Sequence, residues 1–260
     1  MGSSSRRASA CSVRRSSRPR WTRCWPPRGA RSAPIAEGGE GGVAGLPAEG
    51  EAVPERGWVA PAVADEFPGL SLAWTTVEAR SGRSPRQVKD RLRELSNRFH
   101  GGHAIHMRQR PIPWAYRVFF RQIGLDPDQT RTPIEELALE RMKKGAFVSR
   151  SQLDDALTIA IVETGVALRA FDADRTEGRL GVRASAPGEA LEGRPGELPS
   201  GTLVIADERR PVALLFGATA AGRGVHPKTA RITLAALAVK GVPDIAVEEA
   251  LWLATAALTI

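Results

Sequence analysis

The sequence is poor in the residues that carry most conspicuous chemistry: two cysteines, one tyrosine, three methionines and four histidines among 260 residues. Both cysteines, Cys11 and Cys24, lie near the start, so the rest of the chain can hold neither an internal disulfide nor a thiolate metal site. A reducing, cytoplasmic compartment is expected. No uncharged apolar run approaches the ~18 residues that would suggest a membrane span. Stretches such as Ile232 to Val239 have the length of a buried strand, and a soluble protein without membrane contact is the expectation. No Gly-x-Ser-x-Gly elbow occurs, so the usual nucleophile signatures are missing and any hydrolysis would have to use water directly.

Acid is absent from residues 1–36, which hold nine arginines. Since the whole chain carries +8, residues 37–260 carry a net charge of −1. RNA contact by the folded part must therefore come from a local basic face and not from bulk charge. Residues 1–57 are rich in Ser, Arg, Gly, Pro and Ala. They contain too few large apolar side chains to offset ordering entropy, so a disordered tail is expected. An Arg- and Ser-rich, acid-poor start also suits a transit peptide or a functionless leader. Residues 58–260 then form one domain.

Apolar periodicity takes over from Trp58. Leu70 to Trp74, introduced by Pro68-Gly69, alternates as a half-buried strand. Ser84 as cap and Pro85 in the first turn predict a helix over Val88 to Phe99. Trp114 to Ile123 gives a second helix, ended by Gly124, and the capping box Thr132-Pro-Ile-Glu135 opens a third that runs to about Lys143. Ser151 caps a fourth, which reaches Glu163 and stops at Gly165. Beyond it lie short β-like runs at Ala167–Phe171, Leu180–Arg183, Thr202–Ala206, Val212–Phe216 and Ile232–Val239, and a last helix over Val247–Leu258. Helices mainly in the first half and strands in the second indicate an α+β fold with an antiparallel or mixed sheet.

Several motifs are weighed against plainer readings. Gly217-Ala-Thr-Ala-Ala-Gly222-Arg223-Gly224 has the glycine spacing of a phosphate-binding loop, but it lacks that loop's lysine and hydroxyl. His100, His103 and His106 recur every three residues; Gly101-Gly102 argues against a helix there, which favours solvated loop histidines over metal ligands. His226 is a single polar loop residue. Asp154-Asp155 reads either as paired carboxylates or as acids favoured by a helix N-terminus. No metal, cofactor or nucleotide is expected.

Gly165-Val-Ala-Leu-Arg169-Ala-Phe-Asp172-Ala-Asp174 followed by Leu180-Gly-Val-Arg183 resembles the B3/B4 (tRNA-binding and editing) domain of the phenylalanyl-tRNA synthetase beta subunit. There a Gly-Gln-Pro-Leu-His-Ala-Phe-Asp-Leu-Asp pattern precedes a similar strand. Leu203-Val-Ile-Ala-Asp207 with Pro211-Val-Ala213 and Lys228-Thr229-Ala-Arg231 are similar to further family segments. Phe119 to Pro127 and Arg131 to Glu135 look like the helical entry of stand-alone B3/B4 proteins, so the resemblance covers about residues 60 to 255 in order.

The resemblance implies a tRNA-binding domain standing alone without the synthetase. Its partner would be the acylated 3′ end of tRNA, and it would serve as a freestanding ester hydrolase of mischarged aminoacyl-tRNA, a second sieve. No ATP-binding or class II synthetase motif is present, so aminoacylation is not expected. The implied tRNA or substrate positions are Asp155, Thr158, Arg169, Asp172, Arg183, Thr219 and Thr229. Arg169 and Thr219 stand where the family has the His and Glu that read a tyrosine hydroxyl, and Thr158 where it has an Asn. Either the pocket accepts another acyl group or the chain is a non-catalytic RNA-binding or protein-interaction module; a small-molecule enzyme using the same pocket is a third reading. Arg169 would favour an anionic group such as phosphate or carboxylate, or else it covers a strand edge as a snorkelled surface side chain.

Overall fold

The computed structural model describes residues 54–99 and 101–260. The expected tail up to residue 53, and His100, lie outside the described residues. The described chain opens with strands β1 (Glu55–Arg56) and β2 (Trp58–Val59), helix α1 (Pro61–Glu66) and the long strand β3 (Ser71–Glu78). Helices α2 (Arg86–Arg98), α3 (Gly101–Met107), α4 (Pro111–Gln122), α5 (Pro133–Lys144) and α6 (Gln152–Thr164) follow. Strands β4 (Ala167–Asp172), β5 (Gly181–Ala184), β6 (Leu203–Ala206), β7 (Pro211–Leu214) and β8 (Arg231–Ala238) lead to the closing helix α7 (Asp244–Thr259). This is an α+β architecture with most helices in the first half. Although β1 falls within the span expected as tail, it pairs Glu55 with Trp74 and Arg56 with Ala73. No helix of the described residues is long and apolar enough to cross a membrane.

Local chemistry explains most element ends. The Glu135 carboxylate accepts from the Thr132 N–H at 3.2 Å and from its Oγ1 at 2.9 Å, closing the first turn of α5. Gly145 and Gly165 adopt φ of 79° and 80°, the left-handed conformation that ends α5 and α6. The Ser151 Oγ accepts from the Asp154 N–H at 3.1 Å, as a helix cap should. Two expectations need correction. Ser84 does not cap α2, whose N-cap is Pro85, because its hydroxyl is drawn to Asp155 instead. Gly101-Gly102 does not prevent a helix: both glycines open α3, where they cost less than in a helix interior, and Met107 is buried in the core at its far end.

The strands form two four-stranded sheets. The first has the order β1-β3-β8-β4 and is antiparallel throughout. The second runs β2-β5-β6-β7, with β2 parallel to β5 and the other pairs antiparallel. The near-continuous apolar run of β8 reflects its place between β3 and β4, covered on both faces. Its side chains divide by period two. Ile232, Leu234, Ala236 and Ala238 join the core under α2, α5, α6 and α7, while Ala235, Leu237 and Val239 join the core shared with α4 and the second sheet. The first sheet is therefore the middle layer, and β4 is its outer edge.

Tyr116, the only tyrosine in the chain, pins α4 to that middle layer. Its hydroxyl donates to the Leu237 carbonyl of β8 and accepts from the Ala167 N–H of β4 at 3.0 Å. Burial pushes the phenol well above its ordinary value of 10.0. The folded state thus holds this proton more tightly than the unfolded state. The stability it contributes is complete below pH 10 and is lost as pH rises above it. Ultraviolet titration should show tyrosinate appearing only together with alkaline unfolding. A separate phenolate transition in folded protein would contradict this placement.

Candidate functional site

A cavity of about 740 Å³ opens along the outer edge of β4. Helices α5 and α6 bound it on one side and the turn after β7 on the other, with apolar wall from Phe120, Leu137, Leu157, Ile161 and Phe216. Its charged lining is five cations, Arg131, Lys143, Lys144, Arg150 and Arg169, and three acids, Glu136, Glu140 and Asp154. Glu140 is engaged by Lys144 and Arg150 at short range, and these hydrogen bonds hold its carboxyl below the usual range. The lining is net cationic although the domain as a whole is close to neutral.

Arg169 projects from β4 on the same face as Phe171, with its guanidinium carbon 6.0 Å from the Phe171 ring centre. Its Nη1 donates to the Gly217 carbonyl at 2.7 Å and its Nη2 to the Thr219 Oγ1 at 2.8 Å. The snorkelled reading therefore does not describe it: the side chain is half-buried and fixed across the gap between the two sheets. Burial lowers its pKa from the ordinary guanidinium value, and no carboxylate among the described residues forms an ion pair with it. Thr158, from α6, lines the same cavity, its hydroxyl donating to the Asp154 carbonyl at 2.7 Å.

The other expected positions lie elsewhere. Asp155 is buried and accepts from Ser84 Oγ and Ser149 Oγ, each at 2.5 Å, and from the Arg150 N–H at 3.0 Å. It ties α6 to two loops, whereas its neighbour Asp154 is exposed, so the two acids do not act as a pair. Asp172 and Thr229, both buried, share a 2.6 Å hydrogen bond at the end of β4. His226 joins them with Nε2 3.3 Å from Asp172 and Nδ1 accepting from the Lys228 N–H at 3.1 Å, so both ring nitrogens are occupied. Asp172 still adjoins the glycine-rich turn, because its N–H donates to the Arg223 carbonyl at 2.9 Å. Arg183 is clasped by Glu189 through two bonds of 2.7 and 2.5 Å, which hold the Glu189 carboxyl below its usual range.

The Gly217–Gly224 turn runs on into β8 without an intervening helix, so it lacks the helix N-terminus on which a phosphate-binding loop depends. Arg223, at the position of that loop's lysine, is buried 3.6 Å from Asp207. His103 and His106 lie on α3, where His106 is exposed. Among the described residues no cluster of three or more His, Cys, Asp or Glu could hold a metal ion. Sequence reasoning missed Arg131 and Lys143 as cavity cations and Gly217 as the acceptor for Arg169. The signals for Arg131 were its place just before the α5 capping box and at the head of a segment that resembles the family's helical entry.

Comparisons with known proteins give the chain a family. The family model of the B3/4 domain matches residues 115–250, which include α5, α6, β4 and the turn after β7. The phenylalanine–tRNA ligase beta subunit of Xanthomonas oryzae pv. oryzae (strain MAFF 311018) is 38% identical over 94 residues, covering 35% of this chain and 12% of that protein. The same subunit of Legionella pneumophila (strain Lens) is 31% identical over 109 residues, 41% of this chain and 14% of that protein. That of Streptomyces avermitilis is 36% identical over 94 residues, 35% of this chain and 11% of that protein. The match therefore spans only a small part of each relative's length. With more than half of its residues matched by the family model, the chain belongs to the B3/4 domain family.

Proposed function

We propose that the chain receives the acylated 3′ end of tRNA in the cavity along β4 and hydrolyses the ester of a wrongly attached amino acid. One observation carries the reading: Arg169, Thr219 and Thr158, which stand at three pocket positions implied by the family resemblance, line or border a single cavity. Arg169 and Thr219 touch although 50 residues separate them in sequence. The apolar walls suit an amino-acid side chain, and Arg131 and Lys143 suit the phosphates of the tRNA terminus. Water attacks the ester carbonyl, the bond from that carbon to the ribose oxygen breaks, and the ribose takes up the proton that water gives up. The free amino acid and intact tRNA are the products.

The test is a panel of mischarged tRNAs incubated with the full chain, scored for deacylation and for binding. At least one ester should turn over, and Arg169→Ala should slow it by about tenfold or more, the size of a charge-assisted contact. Arg86→Ala, a change at a side chain 94% exposed, should leave the rate unchanged. Binding without turnover across the whole panel would remove the hydrolase and leave a non-catalytic tRNA-binding module.

A further inference from the structure

The guanidinium of Arg169 has five N–H donors, of which two are used, on Gly217 O and Thr219 Oγ1. Both acceptors are neutral. The side chain is half-buried, lines the cavity along β4 and has no carboxylate partner among the described residues, which leaves a charge in the wall without its counter-ion. Three other buried or half-buried arginines each have a carboxylate, whereas Arg131, half-buried on the same cavity wall, shares the lack of an ion pair among the described residues. Arg117 is paired with Glu135, Arg183 with Glu189 and Arg223 with Asp207. Removing a cation from water is unfavourable unless an anion meets it, and Arg169 is the cavity arginine whose guanidinium is fixed by hydrogen bonds to neutral acceptors alone.

We infer that Arg169 binds the carboxylate of an acidic acyl group, an aspartyl or glutamyl residue esterified to the tRNA 3′ end. This rests on the proposed binding of an acylated 3′ end. Two sources of an oxyanion are conceivable, an acyl carboxylate and a nucleic-acid phosphate. The surroundings favour the first. The remaining N–H donors of Arg169 match the planar two-oxygen geometry of a carboxylate. Leu157, Ile161 and Phe216, apolar residues of the same cavity, offer a phosphate no donors. Arg131 and Lys143, which also have no ion pair among the described residues, are the cations left for phosphates. The Thr219 hydroxyl and Gly217 carbonyl hold the guanidinium in one orientation, so little conformational freedom remains to be lost on binding.

The experiment uses non-hydrolysable 3′-aminoacylamido-adenosines with the full chain. The aspartyl and glutamyl compounds are each compared with the neutral asparaginyl or glutaminyl isostere, and inorganic phosphate is included as a competitor. Titration calorimetry should show one acidic compound binding about tenfold or more tighter than its neutral isostere. Arg169→Met should erase that ratio while leaving the melting temperature near wild type. Arg169→Lys, which keeps the charge without the fork, should restore only part of it. Equal affinity for acidic and neutral compounds, with both above adenosine, would overturn the carboxylate site but keep the acyl-end reading. No preference of any aminoacyl compound over adenosine would overturn both. If Arg169→Met weakens phosphate and neutral compounds to the same degree as acidic ones, Arg169 is a phosphate contact and the inference fails.

Discussion

Glu135→Ala should destabilise the protein by about 3–5 kcal/mol in chemical denaturation, because it strips a buried arginine of its partner. Glu135 sits at the start of α5 with its side chain 2% exposed, facing an Arg117 side chain 6% exposed on α4. Its Oε1 accepts from Arg117 Nη1 at 2.6 Å and lies 3.0 Å from Arg108 Nε, and its other oxygen accepts from Thr132. One residue therefore closes the capping box and carries the ion pair that joins two helices. Without it, the first turn of α5, including Arg131 at the cavity, loses its anchor. Asp128 makes the second contact to Arg117 at 2.7 Å but is 59% exposed, so Asp128→Ala should barely move the midpoint. A loss below about 1 kcal/mol for Glu135→Ala would mean that water reaches Arg117 freely.

Asp155→Ala should cost about 3 kcal/mol, since three donors lose one buried acceptor together. Ser84 Oγ, Ser149 Oγ and the Arg150 N–H all converge on this carboxylate. The loop before α2 and the loop before α6 would both loosen, and Arg150 would lose its fixed place on the cavity rim. Asp154→Ala, one residue away and exposed, should leave the denaturation midpoint nearly unchanged. Equal effects from the two substitutions would show that Asp155 acts through the helix N-terminus alone. The same pair separates structure from chemistry: if Asp155 serves only to hold the loops, deacylation by whatever Asp155→Ala protein remains folded should match wild type.

The adjoining acids show how far a linear reading goes. Their helix, its Ser151 cap and its Gly165 stop are legible, because capping and left-handed glycine are contacts among neighbours in sequence. The difference between Asp154 and Asp155 is not, because it depends on Ser84, 71 residues away. Ser84 itself shows the same competition from the other side. A serine before Pro85 reads as a cap, yet its hydroxyl serves a distant carboxylate, since a buried charge gains more from that bond than a solvated helix end does. The α3 helix escaped notice because two glycines weigh against helix locally, whereas burial of Met107 favours it through tertiary contacts.

The sequence by itself determined where the main helices and strands run, that the fold is α+β, and which family segments are present in order. These follow from periodicity, caps and turns, whose energetics are local. Only the tertiary structure decided that there are two sheets, that β4 forms the edge of one, and that Arg169 meets Gly217 and Thr219 over a cavity. It also decided that Arg183 and Arg223 are already paired while Arg169 is not. All three are arginines on or beside strands, with nothing in the local text to tell them apart. Whether a buried charge is neutralised depends on which carboxylate the folded chain brings within a few ångströms, and spacing along the sequence carries no information about that distance.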